Sequence, residues 1–248
     1  MARTRDCFPW PDGKHAAVSL TFDDARLSQA DTALPILDGH GVRGTFYVSP
    51  PGLDARLDAW RRAAASGHEI GNHTGTHPCS GNFPWSRANA LEDYTLERIE
   101  ADIDAASAHI EKALGARPVT FAYPCGQKFV GRGRGRRSYV PVVAGKFVAG
   151  RGAFDEVPND PLFCDLAALA GIDADGASLR RLEAAVETAL IQGAWLILFA
   201  HEVGTPRRQT LSAKVLDQFC RYLTLSQDRI WVGTVAQVAS YIMRQRTP

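Results

Sequence analysis

Seven short apolar segments punctuate the chain, at 16–22, 44–49, 68–73, 119–124, 147–152, 194–201 and 229–233, and helical patterns separate most of them. Leu96, Ile99, Ile103, Ala106, Ile110 and Leu114 recur at three- and four-residue steps before Gly115, the spacing of one helix face. Leu179, Leu182, Val186 and Leu190 repeat it before Gly193. Val215, Leu216, Phe219 and Leu223 do so before the last apolar segment, and Val235, Val238 and Ile242 after it. Strands that alternate with helices run parallel, because each return to the sheet needs a crossover. The 248 residues show no composition break, fixed-period repeat or linker. The pattern therefore predicts an α/β chain: a distorted (β/α) barrel of about seven parallel strands, one domain over 1–248. Two stretches, 74–90 and 126–141, are long for connections in such a fold, and long loops often carry function.

The unusual polar residues that interrupt these strands fall at their carboxyl ends. Asp23 and Asp24 close the first, and His73 closes the third, with His77 four residues on. Tyr123-Pro124 ends the fourth, Arg151 the fifth and His201 the sixth. In a parallel barrel the carboxyl ends converge on the face where active sites lie. Each residue alone has an ordinary reading. Asp caps helices, an isolated HxxxH is commonly two unrelated loop histidines, and a strand histidine can be a satisfied core residue. Packing gives no reason for five strands to agree. On one helical turn His73 and His77 would share a face. With a carboxylate from the first strand they form a set that suits zinc, or cobalt or another first-row divalent ion, and leaves a position for water. His201, whose side chain titrates near neutrality, suits a general acid.

Thr21-Phe22-Asp23-Asp24, the run Gly67-His68-Glu69-Ile70-Gly71-Asn72-His73-Thr74-Gly75-Thr76-His77 and a strand-terminal His201 together resemble the NodB-homology polysaccharide deacetylases, carbohydrate esterase family 4. The order and spacing match over about residues 16–235. The resemblance implies a distorted (β/α) barrel, Asp23 as general base, Asp24, His73 and His77 as metal ligands, and His201 as general acid. The family's third motif reads Arg-x-Pro-Tyr-Gly, whereas this chain has Ala122-Tyr123-Pro124-Cys125-Gly126. The tyrosine serves mainly through a backbone N–H that stabilises an oxyanion, which Cys125 could supply. The missing arginine normally steadies the catalytic Asp, and Arg151, ending the next strand, could send its guanidinium to the same place. The family's fourth motif, containing Asp-Trp, is absent.

The expected function is a metal-dependent hydrolase that removes N-acetyl groups from an amino sugar or polysaccharide. A rival on the same fold hydrolyses small cyclic amides or imides, and the altered third motif favours it. A second rival is a carbohydrate-binding protein with a dead site, against which the intact Asp23, Asp24, His73, His77 and His201 argue. A third makes Cys125 a nucleophile, although the sequence shows no thiolate-stabilising pair. The basic run 131–137 reads as a solvated loop or as an anion clamp over the barrel mouth. Phe83 and Trp85 read as a sugar-stacking pair or as core.

Charge and composition limit the partners. Lys and Arg number 28 against 27 Asp and Glu, so no global field recruits nucleic acid or an acidic membrane. The expected partner is a carbohydrate or small amide substrate. No apolar run approaches the ~18 residues of a membrane span. The first residues lack the apolar core of a secretory signal. The five cysteines (7, 79, 125, 164, 220) include no CxxC and read as reduced thiols, so the expectation is a cytoplasmic protein.

Overall fold

The computed structural model describes residues 8–246. All seven apolar segments form strands, each within two residues of its expected bounds, and an eighth short strand joins them. In chain order these are β1 (Ala16–Asp23), β2 (Thr45–Val48), β3 (Glu69–Asn72), β4 (Thr120–Ala122), β5 (Ala149–Arg151), β6 (Ile172–Asp173), β7 (Trp195–Ala200) and β8 (Ile230–Val232). The sheet order is β5-β4-β3-β2-β1-β7-β6, and every pairing in it is parallel. β8 pairs with the first half of β1, from Ala16 to Val18, and β2 with the second half, from Thr21 to Asp23.

β6 is too short to leave a periodic signal, yet it closes the ring. Leu169 N donates to Gly150 O (2.8 Å) and Gly152 N donates to Leu169 O (2.7 Å), while Ile172 and Asp173 lie in register with Leu198 and Phe199. One extended segment, 169–173, thus joins the β5 edge to the β7 edge and completes a distorted (β/α) barrel. β1 is buried along all eight residues, as a parallel strand covered on both faces should be. Phe22 stacks on Phe46 with ring centroids 5.0 Å apart, in a core that includes Trp60 and Leu216. Trp195 fills another cluster with Ala17 and Val238, and its Nε1 donates to Ser19 Oγ (3.0 Å).

Helix Leu96–Leu114 positions the site directly. Thr95 Oγ1 accepts from Arg98 N at its start, and Gly115 ends it at φ 78°, a conformation that side chains disfavour. Its buried face, Ile99, Ile103, Ala106 and Ile110, is the stripe the periodicity predicts. Asn72, at the end of β3, donates from Nδ2 to Ile103 O (2.9 Å) and Ser107 Oγ (2.8 Å). That pins the strand end from which His73 projects. Of the two long loops, 74–90 contains the short 3-10 helix Pro84–Asn89. The other, 126–141, contains an antiparallel pair, Phe129–Val130 with Arg137–Ser138, and the basic run spans its turn. Among the described residues no helix is long and apolar enough to cross a membrane.

Candidate active site

At the end of β1 the backbone turns into the left-handed region at Asp24 (φ 75°) and Ala25 (φ 51°). Neighbours on an extended strand point to opposite faces, and this turn lets Asp23 and Asp24 serve one cleft. Gly52 packs against the turn so closely that a Cβ there would lie 2.6 Å from Asp24 O. Among the described residues, five of the eight non-glycine positive-φ residues, Asp24, Ala25, Thr74, His77 and Cys125, belong to this site. Such conformations cost about 1–3 kcal/mol each and gather at functional sites.

His73 and His77 meet, but not on a helical turn as the spacing suggested. The chain reverses through a loop with left-handed residues at Thr74 (φ 66°) and His77 (φ 48°). Hydrogen bonds hold the reversal: Thr74 N to Asn72 Oδ1 (2.7 Å), His77 N to Thr74 Oγ1 (2.9 Å), and Gly75 N and Thr76 N to Asp102 Oδ2 (3.2 and 3.3 Å). Asp24 Oδ1 stands 3.5 Å from His73 Nε2 and 3.3 Å from His77 Nε2, and one donor atom from each residue lies within 4.8 Å of the other two.

The surroundings set the orientation and charge of these atoms. His73 Nδ1 lies 2.9 Å from Ala122 O, and a carbonyl only accepts, so Nδ1 carries the proton and Nε2 presents a lone pair. Burial, with help from His73, pushes His77 down to about 4 despite the nearby Asp24 and Asp23, so the ring is neutral at neutral pH. Burial also opposes charge on Asp24, but His73, His77 and Arg26 hold its carboxyl down at about 2. Arg26 grips the far oxygen, Oδ2, from Nη2 (2.9 Å) and Nε (3.1 Å), which turns Oδ1 toward the imidazoles. An ionised carboxylate beside imidazole lone pairs fits a first-row divalent ion, zinc or cobalt included.

Asp23 has a different partner. Arg151 donates from Nη2 to Asp23 Oδ1 and from Nη1 to Gly152 O (2.9 Å). The guanidinium is fully buried, 5.1 Å from the Tyr47 and Phe199 ring centroids. Arg151 on β5 is in register with Ala122 on β4. The strand beside Ala122 therefore delivers the guanidinium at the same level of the barrel.

His201 follows β7, and Asp175 receives both its Nδ1 (2.6 Å, to Oδ2) and its backbone N–H (3.1 Å, to Oδ1). Burial works against a charged ring, but the Asp175 hydrogen bond and the charges of Asp23, Asp175 and Asp24 outweigh it and raise His201 above its ordinary value. Sequence reasoning missed Asp175 because the strand it follows, β6, has two residues. If His201 is the general acid, it acts in its protonated form, and activity is expected to fall as pH rises through this pKa. Asp175→Asn removes a raising influence. The alkaline limb of the pH–rate profile is expected to move to lower pH, and an unmoved limb would remove Asp175 from this role.

Cys125, also in the left-handed region (φ 54°), is bonded through Sγ to Cys79, with Cα atoms 6.1 Å apart. This corrects the reduced-thiol expectation for that pair, and it removes the nucleophile reading, because a disulfide sulfur is not a thiolate. The bond ties the loop that carries His77 to the turn after β4. Cys164 and Cys220 are free thiols, and Cys7 lies outside the described residues.

The basic run is mostly exposed, with Arg132 paired to Asp93 (2.6 Å) and Arg136 over the Phe129 ring (4.1 Å). A groove of about 620 Å³ separates it from the other loop, lined by Ser80, Asn82, Glu92, Gln127, Lys128 and Arg136 among others. Phe83 and Trp85 are not core. Their rings pair at 5.5 Å, and Trp85, 62% exposed, stands 5.9 Å from the His77 ring. A second cavity, of about 700 Å³, lies away from this cluster, beside the segments leading into β1 and β2.

Fold and cleft define a (β/α)-barrel protein with a metal-binding type of donor set at the carboxyl ends of its strands. The family model described as polysaccharide deacetylase matches residues 11–130. A structure described as a polysaccharide deacetylase from Mycobacterium smegmatis superposes with a TM-score of 0.72 at 18% identity, covering 97% of this chain and 94% of that one. A gellan lyase from Bacillus sp is 27% identical over 96% of this chain and 10% of its own length. A chitooligosaccharide deacetylase from Rhizobium leguminosarum bv. trifolii is 35% identical over 36% of this chain and 40% of its own. The chain spans less than half the length of these two curated relatives. Residues 11–130 thus resemble the polysaccharide deacetylase family in sequence, and the whole chain shares its fold with a solved structure described by that name.

Proposed function

We propose that the chain is a divalent-metal-dependent deacetylase that hydrolyses the N-acetyl amide of an amino sugar in a glycan. The observation that carries this reading is the division of labour between adjacent carboxylates. Asp24 faces two imidazoles, and Asp23 is held by a buried guanidinium. A metal site needs the first arrangement and a general base beside it needs the second. The family-model match over residues 11–130 and the deacetylase names of several relatives support the same chemistry.

Asp24, His73 and His77 would hold the ion, which would supply a water of lowered pKa, toward ~7, and a Lewis acid for the acetyl carbonyl. Asp23, anchored at Oδ1, takes the water's proton at Oδ2 as the carbonyl carbon is attacked. The Cys125 backbone N–H would supply the donor to the developing oxyanion, and one well-aimed donor of this kind contributes about 3 kcal/mol. Asp175 occupies Nδ1 of His201, so Nε2 gives its proton to the departing amine. Trp85 stacks on a sugar face at the rim.

Metal-reconstituted protein is expected to release acetate from N-acetylglucosamine oligomers and to leave cyclic imides unopened. Ring opening of imides without acetate release would transfer the site to the small-amide reading. Saturable glycan binding without turnover would make the chain a binding protein.

A further inference from the structure

His77 faces two groups of donors with its two nitrogens. Nε2 lies 3.3 Å from Asp24 Oδ1, on the side of His73. Nδ1 lies 3.8 Å from Cys79 Sγ, the sulfur bonded to Cys125. One donor atom each from His77, Cys79 and Cys125 lies within 4.8 Å of the other two. Both cysteines sit outside the barrel strands, one on the 74–90 loop and one in the turn after β4. Two sulfurs and an imidazole are donors that favour zinc and other thiophilic ions over magnesium or calcium.

We propose that the Cys79–Cys125 disulfide masks a second metal site. When a dithiol reductant opens it, Cys79 Sγ, Cys125 Sγ and His77 Nδ1 hold a thiophilic divalent ion. In the exchange the S–S bond breaks, the reductant's two thiols become its own disulfide, and their two electrons and two protons pass to the protein sulfurs. Ion binding then releases those two protons, because the thiolate is the ligand. Sulfurs bound tetrahedrally at about 2.3 Å stand about 3.8 Å apart. Both cysteines lie on loops, so opening the bond to that separation moves two loops and leaves the barrel strands in place. Three protein donors leave the fourth position to water. Reduction therefore adds an ion beside the candidate catalytic one through a residue that both use.

The test uses the full chain and cobalt(II) as the probe. One sample stays oxidised. The other is reduced with dithiothreitol, which is removed under argon before cobalt is added. The reduced protein is expected to develop thiolate-to-cobalt charge-transfer absorption, and two of its thiols are expected to become slow to react with a thiol reagent. The oxidised protein and a reduced Cys79→Ala/Cys125→Ala variant should show neither change. Asp24→Asn should retain the absorption, because Asp24 belongs only to the other set. That arm separates this site from the deacetylase reading, since it reads out whether or not acetate is released. Reduced wild-type protein without the absorption, and with no thiol slowed by cobalt, would overturn the proposal. So would absorption that survives loss of both cysteines.

Discussion

Asp23→Asn is expected to keep its metal and lose turnover by roughly 10²–10⁴-fold, the usual contribution of a general base. The amide occupies the carboxylate's volume and still accepts from Arg151 through its oxygen, so the Arg151 contact at Oδ1 survives. What disappears is the capacity to take a proton. Asp24→Asn should behave differently: the ionised oxygen facing His73 and His77 is lost, and metal affinity falls first. Turnover and metal content measured together on both variants separate the roles. An Asp24→Asn protein that holds its ion tightly, beside an Asp23→Asn protein that loses it, would show the two to be exchanged.

Arg151→Met should be the most destabilising substitution at the site. It leaves the Asp23 carboxylate buried without its guanidinium, and breaking a buried ion pair from one side costs about 3–5 kcal/mol. For a chain of this size that lowers Tm by roughly 6–20 °C. Adding Asp23→Asn to Arg151→Met removes the orphaned charge and should recover part of the loss, which a purely steric defect would not allow. Arg151→Lys keeps the charge but replaces a planar fork by a point donor, so turnover should fall further than stability does. Unchanged stability and turnover in Arg151→Met would mean that the guanidinium does not position Asp23.

The sequence made the site legible where topology carried it. Parallel strands send all carboxyl ends to one side, so polar residues that close apolar runs converge whatever the connections between them do. Ala122 and Arg151 also became readable as a pair, because consecutive strands proved to be neighbours at the same level. Spacing alone misled at His73 and His77: four residues suggest a helical turn, and the chain reaches the same proximity through left-handed loop residues. Three features left no local signal. β6 has two residues, too few for a period. Asp175 could not be placed at a strand end without it. Cys79 and Cys125 are 46 residues apart on two loops, and nothing in either neighbourhood specifies that those loops touch.

The central claim is that an ion held by Asp24, His73 and His77 supports removal of an acetyl group. The direct measurement titrates zinc into metal-free, oxidised protein while following acetate release from N-acetylglucosamine oligomers. Wild-type activity should rise with added ion and saturate at one per chain, and His77→Ala should stay near baseline over the same range. Acetate release at full rate from the metal-free protein, or an identical titration curve in His77→Ala, would contradict the account.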